Sequence, residues 1–185
     1  MDVRFRHRHA AAVLDGGGVI AYPTEAVYGL GCDPWQAPAV ARLLELKDRP
    51  VEKGLILIAA DTGQLRDWVT PEALGDPQVN ATWPGPVTWI LPATGEAAPW
   101  ITGGRPRIAV RITDHADAAA LCRAFGGPLV STSANPGGAG PARNALRVRT
   151  YFDGDVDLVL GGPTGGRARP TTMLRWPDGG VVRHG

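Results

Sequence analysis

Lysine is almost missing from this chain. Its 19 lysines and arginines comprise 17 arginines and only Lys47 and Lys53. Both fall in the stretch Lys47-Asp48-Arg49-Pro50-Val51-Glu52-Lys53. An ammonium is a compact, rotatable point charge and a guanidinium a flat fork, so the two differ wherever geometry matters. Ordinary surface positions show no such selectivity, which marks this stretch as a place where the type of cation counts. Phosphate is the first ligand to consider there.

Other absences narrow the field further. Neither sign of charge is in excess, the formal net charge being +1, so bulk charge does not announce a nucleic-acid binder. No run of eighteen apolar residues exists, so no membrane span is expected. The Arg/His-rich start, Met1 to His9, precedes only Ala10 to Leu14 before three glycines, too little for a secretory signal. A soluble cytoplasmic protein is expected. Cys32 and Cys122 lie far apart with no Cys-x-x-Cys pair, and are expected as reduced, partly buried thiols. His7 and His9 have no carboxylate or cysteine cluster nearby, so a flexible or helical basic N-terminus is expected rather than a metal site. There is no P-loop, no Gly-x-Gly-x-x-Gly after a strand and no Gly-x-Ser-x-Gly elbow.

What is present reads as one globular domain. The 185 residues are 44% apolar, enough for a proper core, and 25 glycines with 17 prolines imply many turns and short elements. Periodicity and stop signals predict helices over Phe5–Asp15, Pro38–Lys47, Gln64–Val69, Asp114–Phe125 and Asn144–Phe152. Strands are predicted at Gly18–Tyr22, Gly54–Ala60, Val87–Leu91, Arg107–Ile112, Leu129–Ser133, Val156–Leu160, Thr172–Trp176 and Val181–Arg183. Such alternation implies an α/β sheet covered by helices, with no internal repeat and no linker.

Four polar clusters stand at strand ends or tight turns, where α/β proteins bind ligands. The first is Pro23-Thr24-Glu25-Ala26-Val27-Tyr28-Gly29-Leu30-Gly31, read as a turn whose small residues admit a ligand to the backbone. The second is Lys47, Arg49 and Lys53, three cations suited to a polyphosphate. Lys47 alone is also explained as a cation at a helix C-terminus. In the third, Arg107-Ile108-Ala109-Val110-Arg111, the two arginines share one face of a strand, fit either for a carboxylate or for solvent. The fourth, Ser131-Thr132-Ser133-Ala134-Asn135-Pro136-Gly137-Gly138, offers hydroxyl and amide groups to phosphate oxygens or to a hydrated metal, or is a plain polar turn.

Taken together these clusters resemble one family. Pro23 to Gly31, Lys47-x-Arg49-Pro50, Trp83-Pro84-Gly85-Pro86-Val87-Thr88, Ala109-Val110-Arg111 and Ser133-Ala134-Asn135 stand in the order and spacing of the YrdC-like family, from about Gly18 onward. The resemblance implies a twisted, mostly parallel α/β sheet flanked by helices around a positively charged concave cavity. It implies a single domain over residues 1–185, without the extra C-terminal domain of longer relatives. The implied reaction joins L-threonine, bicarbonate or CO2, and ATP into L-threonylcarbamoyl-AMP and diphosphate. Downstream proteins then transfer the threonylcarbamoyl group to tRNA beside the anticodon.

The resemblance also assigns residues. Lys47, Arg49 and Lys53 are implied as a triphosphate clamp, with Lys47 and Arg49 closest to the chemistry. Ser133, Asn135 and Arg183 are expected on the ATP side. Thr24, Ala26, Arg111, Ser131 and Thr171 are expected around threonine, Arg111 holding its carboxylate. Mg2+ is expected with the ATP phosphates, because a diphosphate leaving group needs its charge spread. Longer relatives often carry His at the place of Ile58, Asn at that of Lys53 and Thr at that of Ala26, so a polar threonine contact is expected to be lost at Ile58. An RNA-binding protein of tRNA or ribosome maturation, using the same basic concavity, is the alternative, since a cavity for ATP also attracts a phosphate backbone. The aromatic interleaving of single-strand binders is absent between Lys47 and Lys53.

Overall fold

A computed structural model describes residues 3–184. Helix α1 (Val3–Asp15) ends where Gly17 takes φ 81, a conformation that side chains resist. Strands β1 (Ile20–Pro23) and β2 (Tyr28–Gly31) follow, then α2 (Ala37–Leu46) and β3 (Ile56–Ala59). Next come the short helices α3 (Pro71–Leu74) and α4 (Pro77–Asn80), then β4 (Val87–Pro92), α5 (Pro99–Thr102) and β5 (Arg107–Ile112). The chain finishes with α6 (Ala116–Phe125), β6 (Leu129–Ser133), α7 (Ala145–Tyr151), β7 (Leu158–Val159), β8 (Thr172–Arg175) and β9 (Gly180–Arg183).

All nine strands join one sheet in the order β7-β1-β2-β6-β3-β5-β4-β8-β9. The class is α/β and the pairing is mixed. β1–β7, β3–β5 and β4–β8 run parallel, and the other neighbours run antiparallel. Tight connections force the antiparallel choice, as between β1 and β2, whereas parallel neighbours need a long crossover.

The sheet's two faces follow the period-two alternation of its strands. Ile20, Tyr22, Ile58 and Leu129 pack with Ala10 and Leu14 of α1 and with Leu121 and Cys122 of α6. Ala21, Leu30, Leu57, Val110 and Val130 point the other way, toward Val40 and Leu43 of α2 and toward Trp68 and Trp89. Each large apolar side chain so enclosed contributes roughly 1.5–3 kcal/mol. Both cysteines are fully buried, and burial pushes the Cys122 thiol up to about 12. The N-terminal helix is docked rather than loose: buried His7 pairs with Asp117 of α6 at 3.0 Å.

Two segments differ from the sequence expectation. Tyr28–Gly31 was expected as part of a glycine-rich turn but is a strand. A side chain at Gly31 would come within 2.8 Å of the Tyr22 ring, so this glycine serves strand packing. The helix expected at Gln64–Val69 is a 3-10 turn over Thr62–Leu65, capped by Asp61, whose side chain accepts from the Gln64 amide.

Candidate functional site

A cavity of about 220 Å³ lies where the turn 24–27 meets β3, β5, β6 and the approach to β8. Eight sequence-predicted residues line it: Thr24, Ala26, Arg49, Arg111, Ser131, Ser133, Thr171 and Arg183. A second cavity of about 470 Å³ shares Arg49 and Arg183 with the first and adds Lys53, Arg105 and Arg107 over an apolar floor that includes Ile90, Ile101 and Met173. Arg107 and Arg111 share a face of β5 but lie four residues apart along it, and they line different cavities, Arg107 the larger and Arg111 the smaller.

Arg111 is the hub of the smaller cavity. It is buried, and its Nη2 donates to Glu25 Oε2 at 3.2 Å. Its Nη1 faces the hydroxyls of Thr88 and Thr171 at 3.3 and 3.4 Å. Its Nε is buried with no partner. Glu25 is itself buried, and its other carboxylate oxygen accepts from Thr113 Oγ1 at 2.7 Å. Burial raises the Glu25 carboxyl, but Arg111 and the Thr113 hydroxyl outweigh it and hold the group below the usual carboxylate range. Arg183 reaches in from β9, its Nη2 donating to the Thr171 carbonyl at 3.0 Å.

Lys47 and Arg49 are placed by the way α2 ends. Lys47 is the C-cap and Asp48 takes the left-handed conformation, φ 46. The Asp48 amide donates to Glu45 O and the Arg49 amide to Leu44 O, a Schellman closure with Asp where Gly is usual. The closure turns Arg49 into the cavity, where its Nη2 donates to Gly54 O at 2.9 Å and its Nε is buried without a partner.

Three predicted residues sit elsewhere. Lys47 is buried and off the cavity wall; its Nζ donates to the backbone carbonyls of Ser133 and Asn135, the latter at 2.8 Å. Burial, and then the nearby charge of Arg49, push its pKa down to about 8. Lys47 therefore staples the end of α2 to the loop after β6. Asn135 is turned into that loop, its Nδ2 donating to the carbonyls of Pro136 and Ala139 and its Oδ1 accepting from Ser133 Oγ. Lys53 is exposed and lines only the larger cavity, so the three cations of the expected clamp do not converge on one point.

Ile58 is fully buried in the core under α6, beside Arg111 in the sheet, and lines neither cavity. Leu55 and Ile56 form the wall at that strand. Sequence reasoning missed Glu25 as a partner for Arg111, although the carboxylate stood in the first motif amid small and apolar residues. It also missed Arg105, which only the loop before β5 brings to the larger cavity.

No group of three or more His, Cys, Asp or Glu side chains gathers among the described residues. The cavity walls offer hydroxyls and cations. The buried carboxylate closest to them, Glu25, is committed to Arg111 and Thr113. This donor set does not suit a metal held by the protein, since Mg2+ takes one or two carboxylates or the phosphates of a bound substrate.

A sequence model of the family Sua5_yciO_yrdC, described as Telomere recombination, matches residues 12–185. A protein of Halorhodospira halophila (strain DSM 244 / SL1) named Threonylcarbamoyl-AMP synthase is 55% identical over 180 residues, 97% of this chain and 94% of that one. A protein of the same name from Cellvibrio japonicus (strain Ueda107) is 54% identical over 179 residues, covering 96% of this chain and 95% of that one. Among solved structures, P. abyssi Sua5 complexed with L-threonine superposes with a TM-score of 0.87 at 32% identity, over 94% of this chain. The chain spans 52% of that longer protein. E. coli YciO superposes with a TM-score of 0.85 at 27% identity, covering 97% of this chain and 89% of that one.

Proposed function

The chain belongs to the Sua5/YciO/YrdC family, and from that membership we propose that it is an L-threonylcarbamoyl-AMP synthase. It converts L-threonine, bicarbonate or CO2, and ATP into L-threonylcarbamoyl-AMP and diphosphate. The threonine amine adds to CO2, or to bicarbonate with loss of water, and gives up a proton to become a carbamate; a carbamate oxygen then attacks the α-phosphorus of ATP. The bond from that phosphorus to the bridging oxygen breaks, and diphosphate leaves with the electron pair. The substrate supplies the nucleophile, so the protein needs none of its own. Its contribution is position and charge, as in phosphoryl transfer generally.

The observation that carries this reading is the way cations and hydroxyls divide between two neighbouring cavities. The smaller, at about 220 Å³, lies below the ~300 Å³ at which drug-sized ligand pockets begin. It suits an amino acid, with Arg111 for the carboxylate and Thr24, Ala26, Ser131 and Thr171 around the rest. The larger has an apolar floor for a base and cations at its rim. Arg49 and Arg183 belong to both, which is where the triphosphate must lie for its α-phosphorus to meet the carbamate. Ser133 supplies a hydroxyl on the same wall. Lys47 and Asn135 act from behind by fixing the loop that carries it. Lys53 meets the outer end of the nucleotide. Mg2+ enters with ATP as part of the substrate and spreads the charge of the leaving diphosphate.

The product passes to the proteins that transfer threonylcarbamoyl to tRNA, which places this enzyme in the cytoplasm. No described helix is long and apolar enough to cross a membrane. The test is the product itself. Purified protein with ATP, Mg2+, L-threonine and 13C-bicarbonate should yield threonylcarbamoyl-AMP carrying the label in its carbamoyl carbon. Turnover of ATP without that labelled species would overturn the reading.

A further inference from the structure

Lys47, Arg49, Arg111 and Arg183 are predicted site cations with hydrogen-bond partners at the site, and three of the four share one kind of partner. Lys47 donates to the carbonyls of Ser133 and Asn135, Arg49 to that of Gly54 and Arg183 to that of Thr171. These partners are neutral, so no carboxylate compensates any of the three. Arg111 alone of the four faces a carboxylate, Glu25, at 3.2 Å, with both side chains almost wholly buried. Glu25 is not on the cavity wall. It stands behind Arg111, held through its own backbone: its carbonyl accepts from the Arg167 amide, and Gly165 packs so closely that a side chain there would come within 2.8 Å of it.

A guanidinium neutralised from behind still lines the cavity beside the Thr171 hydroxyl, but the charge felt in front is small. One carboxylate can dock there on hydrogen bonds and shape. A triphosphate gains most where charge is uncompensated, at Arg49 and Arg183. The two anion sites lie in neighbouring cavities that share Arg49 and Arg183, so some feature must keep the polyanion out of the amino-acid end. On the proposed reading of the two cavities, we propose that Glu25 is that feature: a positioning residue that, by compensating the charge of Arg111, reserves the small cavity for the amino-acid carboxylate and directs the polyphosphate to Arg49 and Arg183.

The alternative is that Glu25 merely holds Arg111 in place. The two roles separate by experiment. Threonine binding is measured by calorimetry on the full chain, alone and with 1 mM tripolyphosphate as an ATP-free probe of the phosphate site. In the wild type, tripolyphosphate should leave the threonine Kd within about twofold, because the two anions occupy different ends. In Glu25→Gln the shape is kept and the compensating charge is gone. Tripolyphosphate should then raise the apparent threonine Kd about tenfold, the two anions competing at Arg111. Without tripolyphosphate, threonine should bind Glu25→Gln at least as tightly as the wild type.

Glu25→Asp keeps the buried charge balanced and carries the test if the Gln variant does not fold. Its shorter side chain draws the carboxylate back, so competition should appear with the same sign and be smaller, about threefold. Threonine binding weakened equally with and without tripolyphosphate would overturn the proposal in favour of a holding role, as would the absence of competition in both variants. Wild-type protein that binds no threonine at all would remove the functional reading and this proposal together, an outcome distinct from either of those.

Discussion

A single buried ammonium, Lys47, should couple activity to pH in this protein. Lys47 in the folded state has a pKa lowered to about 8, against 10.5 for the free side chain. Between those values the unfolded chain binds more protons than the folded one, so this group's contribution to stability rises with pH from about 8 upward. Its charge at the Ser133–Asn135 loop is lost over the same window. Turnover should therefore fall through one ionisation near pH 8 while resistance to urea does not fall with it. Lys47→Arg should keep the fold and lose ~10²-fold in turnover, because a flat guanidinium cannot replace a point donor between two carbonyls without shifting the loop. Wild-type rates in that variant would show that the ammonium has no special role. Arg111→Gln leaves Glu25 buried and unpaired, and should cost about 3–5 kcal/mol in a denaturant titration.

At the scale of elements, the closure of α2 decides where two of the site's cations go. Asp48 sits at φ 46, which a β-branched side chain opposes. Asp48→Val should lose roughly 1–2 kcal/mol of stability. It should also lose activity out of proportion, since Lys47 and Arg49 flank the strained residue; a variant with normal turnover would contradict this. The sequence made much of this level legible. The apolar spacing of Val40, Leu43 and Leu44 marked α2, and the alternation in 107–111 put Arg107 and Arg111 on one face. What it hid were backbone contacts. Nothing in the residue types says that Lys47 should seek the carbonyls of Ser133 and Asn135 rather than open space, or that Asn135 should close its own loop. β2 was hidden for a related reason: its two glycines have turn chemistry in isolation and become a strand only because β1 and β6 crowd them.

The whole molecule is a mixed sheet with helices on both faces and two neighbouring cavities that share Arg49 and Arg183. The main core reaches the cavities at Leu55 and Ile101, but Leu57 lines neither, so stability and activity should separate there. Leu57→Ala should cost about 2–5 kcal/mol and leave the threonine KM unchanged at temperatures where the variant is folded. A KM shift there would mean that the cavity depends on the core beneath β3. Fold class was readable from alternating elements. The mixed pairing was not, because neighbours in the sheet are set by connections that sequence periodicity does not reveal.

One assay meets the central claim head on: diphosphate release by the purified chain with ATP, Mg2+ and bicarbonate, supplied in turn with L-threonine and with each other amino acid. The account predicts release with threonine at a rate well above every other amino acid, and none when bicarbonate is removed. Release that ignores the amino acid, or none with threonine, would contradict it.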